Sequence, residues 1–326
     1  MDLVALLNCL ADGEYHSGVE LGNELGVSRT AVWKALSKLE EYGVFLEVTK
    51  GKGYRIPDGL DLLDRENMLA QLEWCSGLLH DFHLLQSVES TNSYLMADNS
   101  LVDPSHYVIC MAERQTAGRG RRGRVWHSPY ARNIYLSLSF NLQGGVESLD
   151  GLSLALGVAV AKCLSSQGVK GIGLKWPNDI LVDGKKLAGI LVELKGEAEQ
   201  GWKVVAGLGL NVLMSEIEGL EIDQSWVSIA SLLGGGGNSR SEWAGLIIES
   251  IISTIERYRV CGFKGLLAEW DEYDVLSQRP VMVVGSDLRG VCEGVDERGR
   301  LLMNDNGNIR IVNAGEVSIR PDESSN

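Results

Sequence analysis

Residues Gly118-Arg119-Gly120-Arg121-Arg122-Gly123-Arg124 set four arginines among three glycines. Guanidinium groups offer forked donors to carboxylate or phosphate oxygens, and glycines let backbone amides approach a ligand closely, so the segment suits an anion. It has neither the GxxxxGK[ST] order of a P-loop nor the spacing of a dinucleotide fingerprint. The bland alternative is a disordered RG-rich nucleic-acid tract. Such tracts sit in long biased tails, whereas this one lies between two predicted strands, which favours a ligand-binding loop.

An amine and a carboxylate meet further along. Asp183-Gly184 is a strong two-residue hairpin turn that pairs Val182 with Lys185 and Leu181 with Lys186. In that register Asp179, Leu181, Lys186 and Ala188 share one face, which puts Asp179 and Lys186 on diagonal neighbours. Ser90-Thr91-Asn92 reads as a helix N-cap. No Ser/His/Asp set emerges, and the histidines at 16, 80, 83, 106 and 127 show no ligand spacing. Cysteines 9, 75, 110, 163, 261 and 292 lack a CxxC pair and fit reduced core thiols, so no protein-built metal cage is expected.

The elements that must position these groups are mixed. Helical periodicity falls near Thr91 to Asp98, Leu152 to Gln167 and Glu242 to Arg259. Between them run β-rich segments near Tyr107 to Ala112, Ile134 to Phe140, Gly171 to Lys175, Ile180 to Leu194 and Lys203 to Val212. Consecutive strands joined by short turns predict an α+β fold with a largely antiparallel sheet.

Residues 1–57 have a different pattern. Ser17 and Glu20 form a capping box for a helix ending near Leu25, and Gly26 closes it. Ser28 caps a second helix whose Val32, Leu36 and Leu39 face inward, leaving Thr30, Trp33, Lys34 and Ser37 on the opposite face. Val44 to Val48 and Tyr54 to Ile56 then flank a basic tip with Lys50 and Lys52. This is the order of a winged helix-turn-helix, whose second helix enters the major groove. Candidate DNA contacts are Ser28, Arg29, Thr30, Trp33, Lys34, Ser37, Lys38, Lys50 and Lys52; the competing reading is a protein-interaction module with solvated lysines. The whole chain carries a net charge of −14, which argues against diffuse nucleic-acid binding and requires any DNA contact to be local.

Pro57 to Glu66 mixes proline, glycine and acids and is expected to join the modules with some freedom. Pro280 to Pro321 carries short β runs at 281–284, 289–295, 301–304, 309–312 and 317–320, the pattern of a small barrel, followed by a frayed tail from Asp322 to Asn326. The expected modules are 1–63, 64–274 and 275–326. At 326 residues, 44% hydrophobic and 23% charged, the composition is that of a globular chain. No apolar run approaches a span of roughly 18 residues, and no secretory signal is read, so a cytoplasmic address without membrane contact is expected.

Several motifs then occur together. Ser90-Thr91-Asn92, Gln115 with the 118–124 loop, Lys175-Trp176-Pro177-Asn178-Asp179, Lys186 through Glu193 (KLAGILVE) and Gly207 through Val212 (GLGLNV) stand in the order found in biotin protein ligases. With the N-terminal module, the chain resembles the bifunctional type that is also the biotin operon repressor.

That resemblance implies a two-step reaction. Biotin and ATP, with Mg²⁺, give biotinyl-5′-AMP and pyrophosphate, and a lysine of biotin carboxyl carrier protein from acetyl-CoA carboxylase then attacks the adenylate. It also implies that the adenylate acts as corepressor and that the loaded protein is a homodimer on operator DNA. Ser90, Thr91, Asn92 and Gln115 match the biotin-binding positions, and Gly118, Arg119, Gly120 and Arg121 belong to the loop that orders over the ligand. The resemblance further implies that Lys186 touches the carboxylate and phosphate oxygens, that Gly189 lies beside biotin, and that Asn211 and Trp226 lie on the nucleotide side. Lys186, Asp179 and Arg121 are the expected catalytic groups, Asp179 orienting the acceptor amine unless it is only a turn acid. The C-terminal module is expected to be SH3-like. The rival readings are a lipoate or octanoyl ligase of the same fold and a non-catalytic biotin-sensing repressor.

Overall fold

The computed structural model describes residues 3–98, 105–197, 201–235, 237–314 and 319–321. At its N-terminus α1 (Leu3–Leu10), α2 (Gly18–Glu24) and α3 (Arg29–Leu39) pack around Leu6, Leu10, Leu21, Val32, Leu36 and Leu39. The Ser17 hydroxyl accepts from Glu20 N at 3.1 Å while the Glu20 carboxylate accepts from Ser17 N at 2.7 Å, completing the expected capping box. Ser28 caps α3 by accepting from Ala31 N at 3.3 Å. The wing is shorter than its sequence suggests. β1 (Glu47–Thr49) pairs antiparallel with β2 (Gly53–Arg55), because Val44 turns into the core instead of extending the strand.

The join to the next module is held, contrary to the expected freedom. Arg240, fully buried, donates to Glu113 at 2.8 Å, to the Asp61 carbonyl at 2.5 Å and to the Asn133 carbonyl at 2.7 Å. Leu63 N donates to the other Glu113 oxygen at 2.6 Å, and Asp64 N donates to Ser241 Oγ at 2.8 Å. A buried arginine needs all its donors satisfied, so these contacts fix the linker on the central module. Tyr130 and Ala131 also pack into the N-terminal core, and Arg114 donates to the Glu41 carbonyl at 2.5 Å.

The central module follows as α4 (Arg65–Ala70), β3 (Leu79–Leu85), α5 (Thr91–Ala97), β4 (Tyr107–Ala112), β5 (Ile134–Leu142), α6 (Leu152–Ser166), β6 (Ile172–Lys175), β7 (Asp179–Val182), β8 (Lys185–Glu197), β9 (Gly201–Leu210), α7 (Ile229–Leu233), α8 (Arg240–Cys261) and α9 (Leu267–Asp271). One sheet runs β3-β4-β5-β9-β8-β7-β6, with β3 and β4 parallel and every other neighbour antiparallel. Strand β3 was not legible in LHDFHLL, which lacks β-branched residues. Helix α6 packs on α8 and the sheet. Residues 146–166 do reach the length and apolarity of a membrane span, against the sequence expectation, yet 61% of that window is buried inside the fold, as befits a core helix.

The β7–β8 turn pairs Val182 with Lys185 and Leu181 with Lys186 as read from the sequence, with Asp183 and Gly184 at φ +49 and +78. A bulge then shifts the register, so Asp179 faces Gly189 and Ile180 faces Ala188. The expected sharing of a face by Ala188 and Asp179 is thereby corrected. Leu187 and Ala188 both bury, and the extra residue that the bulge inserts is what allows it.

The C-terminal strands β10 (Pro280–Val283), β11 (Arg289–Val295), β12 (Leu301–Asp305), β13 (Asn308–Val312) and β14 (Ile319–Pro321) form an antiparallel sheet in the order β13-β12-β11-β10-β14. Among the described residues the series is open, with no pairing of β13 to β14 that would close a barrel. Val317 and Ser318 of the last expected run, and the tail from Asp322, lie outside the described residues. The sheet shares one continuous core with the central module, and Trp176 Nε1 donates to the Gly299 carbonyl at 2.9 Å.

Candidate active site

A cavity of about 1370 Å³ opens over β8 and β9. Pockets for drug-sized ligands run about 300–1,000 Å³, so this one has room for a vitamin joined to a nucleotide. Ser90, Thr91, Asn92, Gln115, Arg119, Gly120, Arg121, Asp179, Lys186, Gly189, Asn211 and Trp226 all line it. Gly118 does not; it stands behind the wall, where an added Cβ would lie 2.6 Å from the Trp126 carbonyl oxygen and 2.7 Å from Ser128 Oγ.

The chemical centre is an ion pair. Lys186 Nζ lies 2.7 Å from Asp179 Oδ1, with their side chains 14% and 23% exposed, and 5.4 Å from the Trp126 ring centroid. The bulge brings the two together by placing Asp179 opposite Gly189, beside which the lysine stem passes: a Cβ at Gly189 would meet Lys186 Cε and Trp126 Cζ3, each at 3.2 Å. The backbone of Lys186 is equally engaged, donating to the Ser225 carbonyl and accepting from Val227 N, both at 2.9 Å. Asn211 spends its side-chain amide on the Val227 carbonyl at 3.2 Å and the Lys186 carbonyl at 3.4 Å. It therefore anchors the segment carrying Trp226, whose ring packs over Gly219.

The arginine segment doubles back as a narrow hairpin. Arg119 bridges to Val125, Gly120 N donates to the Arg124 carbonyl at 2.7 Å and Trp126 N to the Gly118 carbonyl at 2.9 Å. Arg122 at φ +58 and Gly123 at φ +71 make the reversal, a geometry that glycine adopts without cost. Arg119 pairs with Glu193 at 3.0 Å. Arg121 donates to Asn178 Oδ1 at 3.3 Å and to the Ala314 carbonyl, crossing from the hairpin to the C-terminal sheet. Burial pulls its pKa below the ordinary guanidinium value, against the opposing pull of Asp179.

Several wall residues were not singled out from the sequence. Lys175 is held below its usual pKa, by burial first and then by Lys186, Arg320 and Arg124, with Asp179 opposing. Arg289 and Arg320 reach the cavity from the C-terminal sheet. Trp126 leans on Gly209 and Gly189, and its Nε1 is buried without a hydrogen-bond partner among the described residues. The available signal was its place two residues after the arginines. Glu193 was quoted only as the end of a strand motif. It accepts from Asn92 Nδ2 at 2.9 Å as well as from Arg119.

On the N-terminal module Arg29, Thr30 and Trp33 border a shallow pocket with Gly18 and Tyr54, and Trp33 is 60% exposed. Lys34, Lys38, Lys50 and Lys52 are exposed. Ser37 turns its hydroxyl back to the Trp33 carbonyl at 3.0 Å, and Arg55 is neutralised by Glu47 at 2.6 Å, so the cationic face narrows to α3 and the wing tip.

A cation-lined cavity beneath a glycine-arginine hairpin suits an anionic ligand, and the same chain carries a winged helix with a basic face. The Biotin/lipoate A/B protein ligase family model matches residues 84–211, an HTH domain model residues 3–55 and the biotin protein ligase C-terminal domain model residues 281–320. The chain is 36% identical over 320 residues to the bifunctional ligase/repressor BirA of Escherichia coli, covering 98% of this chain and 97% of that one. It is 28% identical to the Bacillus subtilis bifunctional ligase/repressor BirA, covering 98% of each. The chain belongs to the biotin protein ligase family, in its bifunctional ligase/repressor form. Among solved structures, the Aquifex aeolicus biotin protein ligase in complex with biotin and ATP superposes with a TM-score of 0.63 at 27% identity, covering 74% of this chain and all of that one.

Proposed function

We propose that the chain activates biotin with ATP as biotinyl-5′-AMP, passes the biotinyl group to a lysine of a biotin carboxyl carrier protein, and uses the same adenylate as corepressor at operator DNA. The observation that carries this reading is the Lys186–Asp179 pair set beneath an arginine hairpin in a cavity larger than the vitamin requires.

In the first step a biotin carboxylate oxygen attacks the α-phosphorus and pyrophosphate leaves with the bonding pair. Two anions must approach, so fixed positive charge lowers the barrier, and Lys186, Arg121 and Lys175 provide it on the wall. Lys186 exchanges Asp179 for phosphate oxygens as these arrive, which frees the carboxylate. In the second step the acceptor amine loses a proton toward Asp179 and attacks the acyl carbon, and AMP departs. Arg119 and Arg121 close the hairpin over the mixed anhydride and keep out the water that would hydrolyse it. Mg²⁺ bound with ATP would supply further positive charge against the phosphate oxygens. Glu221 and Asp223, the carboxylates on the wall beside Trp226, would hold the ion from the protein side.

Ser90, Thr91 and Gln115 take the ureido end of biotin, while Trp226 and the segment held by Asn211 take the nucleotide. Arg29, Thr30, Trp33 and Lys34 read the major groove, Ser28, Ser37 and Lys38 support that face, and Lys50 and Lys52 meet the backbone. The modules are 1–63, 64–274 and 275–326. The loaded protein acts as a homodimer in the cytoplasm, where its six unpaired cysteines remain reduced. Pyrophosphate release with biotin and ATP tests activation, and a gel-shift titration of operator DNA with and without both substrates tests the corepressor. Release without biotin, or equal operator affinity in the two titrations, removes the corresponding half.

A further inference from the structure

The cavity floor carries a polar path that joins the ureido-binding residues to the arginine hairpin through Ser137 and Glu193, to which the two chemical steps assign no role. Gln115 precedes the hairpin, and its Oε1 accepts from Thr91 N at 2.9 Å. The hydroxyl oxygens of Thr91 and Ser137 are 2.7 Å apart, and Ser137 donates to Asn92 Oδ1 at 2.6 Å. Asn92 Nδ2 donates to Glu193 Oε2, and the same oxygen takes the Arg119 guanidinium at 3.0 Å. The path leaves the hairpin root at Gln115 and returns to the hairpin at Arg119.

Proton counting gives the path a direction. An amide oxygen carries no proton, so Ser137 must give its own to Asn92. Ser137 then offers Thr91 only lone pairs, so the Thr91 hydroxyl, which also stands 3.1 Å from Gln115 Oε1, gives its proton to the nearer Ser137 oxygen, and Gln115 keeps the Thr91 N–H. Each donor from Thr91 onward points toward the Glu193 carboxylate, an arrangement in which every bond polarises the next. Ser90, Thr91, Asn92 and Ser137 are buried, while Glu193 and Arg119 are 26% and 45% exposed, so the path ends at the cavity rim.

We propose that Glu193 is a positioning residue for ligation. By holding Asn92 and Arg119 on one oxygen it makes the ordered vitamin floor and the closed hairpin a single hydrogen-bonded unit, and so slows escape of the adenylate. This rests on the functional reading above. The opposite role is also definite: if Glu193 only parked Arg119 away from the ligand, its neutralisation would free the arginine and slow release.

The full-length chain is loaded with biotin and ATP radiolabelled at the α-phosphorus, which the adenylate retains, chased with excess unlabelled biotinyl-5′-AMP, and followed for release. Glu193→Gln keeps one acceptor oxygen for Asn92 while it removes the charge and turns the other oxygen into an NH2 donor. Glu193→Gln and Arg119→Gln are each expected to speed release about two- to fivefold, the range for a partly exposed ion pair, with the double variant no faster than either single one. About 0.5 M salt is expected to speed release from the parent chain and leave the variants unchanged. Melting temperature separates this from a merely structural role, because Glu193→Gln is expected to melt with the parent. Multiplying effects in the double variant, or slower release from Glu193→Gln, overturn the proposal while leaving the function intact. A parent chain that retains no adenylate overturns the functional reading and this inference with it.

Discussion

Replacing Gly209 with alanine probes how the cavity wall is closed. Gly209 faces Gly189 across β8 and β9, and the Trp126 indole lies on both. A Cβ at 209 would stand 2.6 Å from Trp126 Cζ2, where ordinary contact begins at 3.4 Å, so the ring must retreat by about 1 Å. Gly209 is not among the positive-φ glycines, so alanine strains no backbone there and the whole penalty falls on Trp126. Overpacking a fixed core costs about 1–3 kcal/mol. Trp126, however, belongs to the returning arm of the hairpin, which can relieve the clash by lifting away. The cost therefore appears in the closed, loaded state and hardly at all in the fold. Converted by RT, that range weakens binding of a non-reactive biotinyl-adenylate analogue about five- to 150-fold. Isothermal titration calorimetry beside a thermal melt measures both terms. Unchanged affinity, or a large fall in melting temperature with affinity intact, would refute this account of the wall.

Other substitutions separate the remaining parts. Arg240→Met leaves Glu113 buried without its guanidinium and is expected to cost about 3–5 kcal/mol in urea unfolding, whereas Glu113→Gln with Arg240→Met recovers most of it; a single variant as stable as the parent contradicts the linker clamp. Lys186→Met is expected to cut adenylate formation more than about a hundredfold, while Asp179→Asn still forms adenylate and slows transfer to the acceptor, a split that single-turnover kinetics resolves. Trp33→Ala is expected to weaken operator binding about tenfold in a gel shift and leave biotinylation unchanged, since its ring stands on the exposed face of α3 far in sequence from the cavity residues.

What the sequence disclosed follows from how local each signal is. The Ser17 and Ser28 caps, the Asp183-Gly184 turn and the β4 boundaries depend on neighbours a few residues apart, and all appear as read. The bulge near Leu187 was not legible, because a turn fixes the register next to it and only packing decides whether Ala188 turns inward. The linker was misread for a similar reason: its acids suggest solvent, while the arginine that fixes it lies far along the chain at 240. Every candidate cavity residue but Gly118 lines the wall, all but Trp226 having been quoted inside an ordered motif. Ser137 was not singled out and Glu193 was quoted only as a motif's last residue, since a hydrogen-bonded path between four elements is encoded by no spacing. The five C-terminal strands were visible as alternating runs, yet alternation does not state whether a sheet closes.

The most direct measurement is the intact mass of a purified carrier domain incubated with the chain, biotin and MgATP. One biotinyl group on the carrier lysine, absent with Lys186→Met and absent when biotin is replaced by lipoate, is the predicted result. An unmodified carrier, or one labelled by lipoate instead, would contradict it.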